Sequence, residues 1–249
     1  MFKTSIAIND QHIPYLDPVA HDLTLQLIKT IQPDYIDILG DLIDCWQISK
    51  FNTDPNRKED VQQDIDEGQK YLKEIRELAP KATIELHYGN HLDRLRKYIW
   101  RKGRELACIR SLDFKFLLGL KELNINTVED ETGYTVRGNL CLTHGTIVSQ
   151  DSGMTARRML RKYGLSVIHG HTHRMGSIFK TDLLGYRGAW ENGCLCKYSL
   201  IKEWGGQIAD WQQGCSVIYF SGSDRFLVQA LPIIKGKMLF GSQEFVYQK

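Results

Sequence analysis

Tyr35-Ile36-Asp37-Ile38-Leu39-Gly40-Asp41-Leu42-Ile43-Asp44 is an apolar, β-branched run that stops abruptly at Gly-Asp. It reads as a buried strand ending in a turn that carries a carboxylate. The same figure recurs four times. Ile6-Ala7-Ile8 leads to Asp10-Gln11-His12, residues 84–88 to Gly89-Asn90-His91, Leu140-Cys141-Leu142 to Thr143-His144-Gly145, and Val167-Ile168 to His169-Gly170-His171-Thr172-His173. In an open α/β sheet ligands bind beyond the carboxyl ends of the strands, so five such clusters are expected to converge on one crevice. Glycine stands beside four of them, where it lets the chain turn sharply or approach a ligand without a Cβ in the way.

Outward from these clusters the elements alternate. Residues 5–9 and 35–39 read as strands around a helix at 17–31, whose apolar Val19, Leu23, Leu27 and Ile28 recur at helical spacing, with Pro33 as a break. A long polar helix over 57–78, closed by Ala79-Pro80, leads to a strand over 83–88 and then to basic helical material as far as about 123. After 125 the texture changes to short β-type runs at 134–137, 140–143, 166–169, 177–180, 216–220 and 226–234. One helix, 152–163, interrupts them with Ser152 in the N-cap position. The order predicts an α/β protein, a mixed β-sandwich of two sheets flanked by helices, in a single domain over 1–249.

Composition bounds the function loosely. A hydrophobic share of 42% and a charged share of 25% are ordinary, and 32 basic against 30 acidic residues leave a net charge of +2 that names no partner. No apolar run approaches the ~18 residues of a membrane helix, and the first nine residues do not form a secretory signal, so a cytoplasmic protein is expected. The cysteines at 45, 108, 141, 194, 196 and 215 are too dispersed for a small disulfide-stapled fold and read as free thiols. Cys194-x-Cys196 has no second Cys or His pair at zinc-finger spacing and reads as two half-buried thiols in a loop.

The polar clusters contain Asp, Asn and His and no thiolate, a donor set that suits Mn²⁺, Fe or Zn²⁺. Asp41, from a middle strand, is placed to bridge two ions, and ions about 3.5–4 Å apart clamp the attacking and leaving oxygens of a displacement at phosphorus. Any one cluster alone reads better as a solvated loop or a satisfied core histidine. All five in order are more specific. The chain resembles the calcineurin-like metallophosphoesterase family, whose signature runs Asp-x-His, Gly-Asp-x-x-Asp, Gly-Asn-His-Asp/Glu, a later His, and Gly-His-x-His. Here it is matched by Asp10-Gln11-His12, Gly40-Asp41-Leu42-Ile43-Asp44, Gly89-Asn90-His91, His144 and Gly170-His171-Thr172-His173, between residues 10 and 173. Trp190-Glu191-Asn192-Gly193-Cys194 and Trp211-Gln212-Gln213-Gly214 further resemble phage and bacterial phosphoesterases.

The resemblance implies a four-layer fold, phosphoester hydrolysis and two divalent ions, with Mn²⁺ favoured. Asp10, His12 and His173 would hold one ion, Asn90, His144 and His171 the other, and Asp41 both, with a water or hydroxide between the ions as nucleophile. His91 would lie outside the ligand set, beside the scissile phosphate, to protonate the leaving oxygen or steady its charge. Asp44 would orient His91. The chain departs from the pattern at Leu92, where the family usually has Asp or Glu. Asp93, next in line, either replaces that carboxylate or is a first-turn carboxylate favoured by the helix dipole.

The substrate is less legible. Arg94, Arg96, Lys97, Arg101, Lys102 and Arg104 follow His91 closely, with Tyr98 and Trp100 among them, and Arg157, Arg158, Arg161 and Lys162 form a second group. Such groups either grip a polyanion or are solvated helix faces, and the rings either stack bases or fill a core. Arg94, one helical turn from His91, is the candidate for a substrate phosphate contact. A phosphodiesterase or phosphatase on small or nucleotide esters is the leading expectation. A nuclease of the repair-exonuclease type is the alternative. A non-catalytic binding protein on this fold would be expected to have lost ligands, and this chain keeps all seven together with His91.

Overall fold

A computed structural model describes residues 2–51, 60–203 and 210–247. Its first half alternates as β1 (Phe2–Ile8), α1 (Pro18–Ile31), β2 (Tyr35–Ile38), α2 (Val61–Leu78), β3 (Thr83–His87) and α3 (Gly89–Lys102). Short 3-10 turns and one helical turn, α4 (Phe114–Leu117), then lead to β4 (Ile125–Val128). The boundaries have local causes. Asp17 accepts the Val19 and Ala20 N–H groups, and Pro18, lacking an N–H, fits the first turn of α1. Asp60 accepts the Gln63 N–H and starts α2 at Val61; residues 57–59 of the expected helix lie outside the described residues.

The second half contains β5 (Tyr134–Arg137), β6 (Leu140–Thr143), α5 (Met154–Tyr163), β7 (Ser166–His169), β8 (Met175–Asp182) and β9 (Gly185–Asn192). The single-turn α6 (Leu200–Glu203), β10 (Gly214–Ser221), β11 (Arg225–Ile234), β12 (Lys237–Phe240) and β13 (Gln243–Val246) complete it. The strands form an eight-stranded sheet, ordered β13-β12-β11-β10-β1-β2-β3-β4, and a five-stranded sheet, ordered β5-β6-β7-β9-β8. β1 to β4 run parallel, and β10 returns antiparallel to β1, pairing Phe2 with Ser221 through to Ala7 with Ser216. The expected two-sheet mixed sandwich flanked by helices is therefore the architecture observed.

Alternation along β1 shows how the layers are built, since successive side chains leave a strand on opposite faces. Ile6 and Ile8 face outward to the large core with Leu23, Leu27 and Ile28 of α1 and Leu72 and Ile75 of α2. Ala7 faces inward, into a smaller core between the sheets with Leu39, Leu142, Ile168, Trp190, Ile218 and Phe220. On the far side, Ala156, Met159 and Leu160 of α5 cover Cys141, Val167 and Ala189. Burying each large aliphatic side chain contributes about 1.5–3 kcal/mol. No helix among the described residues is long and apolar enough to cross a membrane.

One expected cap is corrected. Ser152 does not cap α5; Gly153 takes that position at φ 82°, and the Ser152 hydroxyl donates to the Met175 carbonyl. The Gly153 N–H is accepted instead by the carboxylate of Glu191, from β9. A left-handed cap residue favours glycine, and a carboxylate at a helix N-terminus meets the positive end of the dipole.

Candidate metal centre

The carboxyl ends of β1, β2, β3, β6 and β7 open on one crevice, and the expected side chains meet there. In one set, His12 Nε2 lies 3.0 Å from His173 Nε2, and Asp10 Oδ1 lies 3.5 Å from the first and 3.1 Å from the second. In the other, His144 Nε2 lies 3.1 Å from Asn90 Oδ1, 3.1 Å from Asp41 Oδ2 and 3.2 Å from His171 Nδ1. Asp41 Oδ2 also lies 3.9 Å from His12 Nε2, so it stands between the sets. Asp10, His12, Asp41, His144 and His173 are buried, while Asn90 and His171 are partly exposed and mark the open side.

The backbone explains the convergence. Asp10, His12, Asp41, His171 and His173 all have positive φ, between 47° and 72°. Each such non-glycine residue costs on the order of 1–3 kcal/mol, and strain of this kind clusters at functional sites. The motif glycines make room for particular donors. A Cβ on Gly40 would overlap the His144 ring, one on Gly89 the Asp41 carboxylate, and one on Gly170 the Asp10 carboxylate. Backbone donors then fix the carboxylates, with His91 N–H on Asp41 Oδ1 at 2.8 Å and His171 N–H on Asp10 Oδ2 at 2.9 Å. His144 Nδ1 donates to the Leu39 carbonyl at 2.8 Å, which leaves the Nε2 lone pair facing the cluster.

A second ring of groups surrounds His91. Its Nδ1 is 2.9 Å from the Asp44 carbonyl and 3.6 Å from the Asp44 carboxylate, and its Nε2 is 3.9 Å from Asp41 Oδ2. Asp44 also reaches His12 Nδ1, at 3.4 Å. Arg94 donates to the Asp44 carbonyl at 2.8 Å and to its carboxylate at 3.1 Å, with its other amino group 3.0 Å from His91 Nε2. It therefore packs on the pair expected to act beside the phosphate. Asp93 turns away from the cluster to Lys97, at 2.8 Å, and to Arg96, its neighbours on α3, which leaves no ligand role for it.

Electrostatics couple the carboxylates of the cluster to its imidazoles. Burial alone would raise the carboxyls of Asp10, Asp41 and Asp44, but the imidazoles around them hold all three well below the ordinary range. Burial likewise opposes charge on His12, yet Asp10, Asp44 and Asp41 raise it to about 10; Asp41 raises His144 to about 9 against the same opposition. Burial and the neighbouring His144 push His171 down to about 3. Burial also pushes His173 and His91 down. Three ionised carboxylates buried together need positive charge beside them, which here the His12 and His144 rings supply by holding protons and which a bound cation would supply in their place. The donor set fits divalent ions: bonds of about 2.0–2.2 Å place neighbouring donors roughly 3.0–3.5 Å apart, and oxygen with imidazole is the mixture that Mn²⁺, Fe and Zn²⁺ accept.

Several residues around the site have no local signature in sequence. Asn9 donates to Asp10 Oδ2 and to the Gly193 carbonyl, and accepts from Asn192 Nδ2, whose own oxygen accepts from the Ser216 hydroxyl. This buried chain links β1, β9 and β10 and ends on a candidate ligand. The C-x-C reading is also corrected. Cys194 and Cys196 are fully buried, with Cys196 Sγ 4.0 Å from His173 Nδ1, because the loop carrying them bonds back to Asp10 and Gln212. Trp211 packs edge-on against the His173 ring at 4.3 Å. Tyr98 and Trp100 are exposed rather than core, and Arg157, Arg158, Arg161 and Lys162 form a solvated face of α5.

Fold and donor geometry together describe a metallophosphoesterase-like architecture with clusters suited to metal. Vacuolar protein sorting 29 from Cryptosporidium parvum shares the fold, at a TM-score of 0.51 over 99% of both chains and 14% identity. In sequence the chain is similar to the Gene 54 proteins of Mycobacterium phages L5 and D29, with 28% and 29% identity over 95% of this chain and 96% of each relative. No family model matches the chain.

Proposed function

We propose that the protein is a metal-dependent phosphoester hydrolase acting on phosphodiesters or phosphomonoesters of small or nucleotide alcohols. The reading is carried by one observation, the two donor sets that meet at the strand ends with Asp41 Oδ2 between them. Asp10, His12 and His173 would hold one ion and Asn90, His144 and His171 the other, with Asp41 shared. Ions bound there supply Lewis-acid charge to the phosphoryl oxygens and make a water acidic enough to attack near neutral pH, Mn²⁺ being the first candidate. His91, fixed through Nδ1 on the Asp44 carbonyl, has its Nε2 beside Asp41 and against the Arg94 guanidinium; with a phosphate drawing Arg94 to itself, a protonated Nε2 would protonate or steady the leaving oxygen. Arg94 holds that pair in place and offers a guanidinium to an arriving phosphate.

The test is a panel run on metal-stripped protein titrated with Mn²⁺: bis-p-nitrophenyl phosphate, p-nitrophenyl phosphate, 2′,3′-cyclic nucleotides, and labelled single- and double-stranded DNA. Two ions per chain and Mn²⁺-dependent hydrolysis of at least one ester are expected. Two bound ions with no turnover across the panel would make the protein a binding module instead.

A further inference from the structure

The structure extends the site in one direction. From Asn90, residues Arg94, Lys97 and Arg101 follow along α3 at steps of four, three and four, which places them on one helix face over about 16 Å. With Lys50 and Phe51 they line a cavity of about 290 Å³ that begins at a candidate metal ligand. The charges along it are used unequally. Arg94 is engaged by Asp44, and Lys97 by Asp93 and Glu131 at 2.8 and 2.7 Å. Lys50 and Arg101 have no carboxylate partner among the described residues; Arg101 only donates to the Lys97 carbonyl. Phe51 lines the same cavity, 68% exposed, with its ring centroid 5.3 Å from Lys50 Nζ. A single exposed ring is ordinary on a protein surface, but a ring that shares a cavity with cations leading to a candidate metal centre is how proteins hold a base and its phosphates.

We propose that this face of α3 is a track for a single-stranded nucleic acid. Its scissile phosphate would lie at the metal centre, its flanking phosphates on Arg101 and Lys50, and one base on Phe51. A cavity of this volume, at the low end of small-ligand sites, matches a short stretch of one strand with its base turned out, which a paired duplex does not offer. The track is longer than a single phosphate needs, so further phosphates beyond the scissile one gain contacts. Cleavage would add one water across one P–O bond, the oxygen going to phosphorus and a proton to the leaving oxygen, giving a phosphomonoester end and a hydroxyl end. Only this cleavage rests on the phosphoesterase reading; the track itself binds independently of it.

The full chain with Mn²⁺ is titrated with fluorescein-labelled, hydrolysis-resistant phosphorothioate strands, (dT)2 and (dT)12, and with a 12-base-pair duplex, at several salt concentrations. The 12-mer is expected to bind at least tenfold tighter than either the dinucleotide or the duplex. The double variant Lys50→Gln, Arg101→Gln is expected to weaken the 12-mer at least tenfold and to flatten its log–log salt slope by about 1.4. Phe51→Ala is expected to weaken it about five- to fiftyfold with the slope unchanged. The losses on unmodified 12-mer hydrolysis should exceed those on bis-p-nitrophenyl phosphate at least tenfold. Equal affinity for dinucleotide and 12-mer, tighter binding of duplex, unchanged affinity in the variants, or equal losses on both substrates would overturn the track. Bis-p-nitrophenyl phosphate turnover without length dependence defeats the track alone. Normal strand binding with no turnover of any ester defeats the phosphoesterase reading alone.

Discussion

At the scale of single residues, Asp41 and His91 are neighbours with different duties. Asp41 Oδ2 is within 3.1 Å of one donor set and 3.9 Å of the other, whereas His91 reaches the crevice from outside both and is anchored on Asp44. Asp41→Asn is therefore expected to lower metal stoichiometry, measured by elemental analysis, and to abolish turnover with it. His91→Ala should retain both ions and lose at least a hundredfold in turnover, with the larger loss on esters whose leaving groups are poor. Full activity of that variant on an alkyl ester would remove the proton-donor role. Asp41 and His91 were legible in sequence because each follows a strand run within two residues of a glycine, in Gly40-Asp41 and Gly89-Asn90-His91. Asn9, Asn192 and Ser216 were not. Their chain of hydrogen bonds joins positions far apart in sequence, and no local pattern distinguishes a buried asparagine from a loop asparagine.

At the scale of elements, the contrast between α1 and α5 shows where local reading stops. Asp17-Pro18 carries its own start signal, and α1 begins there. The cap of α5 comes from Glu191, 38 residues downstream and on another strand, so the nearby Ser152 was a false signal. Glu191→Ala leaves the buried Gly153 N–H without its acceptor and should cost about 1–3 kcal/mol in denaturant unfolding. Ser152→Ala should cost less, about 0.5–1.5 kcal/mol, since its hydroxyl only supports the Met175 carbonyl. A larger loss from Ser152→Ala than from Glu191→Ala would restore the local cap. The later strands follow the same lesson: their β character was readable, but the return of β10 to β1 was not, because strand pairing depends on partners rather than on propensity.

At the scale of the whole molecule, both donor sets combine side chains from the two sheets. Asp10 and His12 face His173, and Asp41 and Asn90 face His144 and His171. Ions that bind only the folded arrangement stabilise it by mass action, about 2.7 kcal/mol when free metal is a hundredfold above its dissociation constant. Chelation should therefore lower the melting temperature, and Mn²⁺ should restore it in a concentration-dependent way. The effect should vanish in Asp41→Asn if the sites are those assigned.

The pairing of β1 with β10 also has a consequence in time. A chain made from its N-terminus completes β1 early, yet one edge of that strand stays unpaired until residues 214–221 emerge. Every candidate ligand has by then been synthesised, His173 included, and the sheet that carries four of the seven is still open at its centre. A fragment ending at residue 180 keeps the whole motif but exposes that edge and the uncovered inner face of Ala7 and Leu39. It is expected to collect in the insoluble fraction on expression in a larger share than the full chain does.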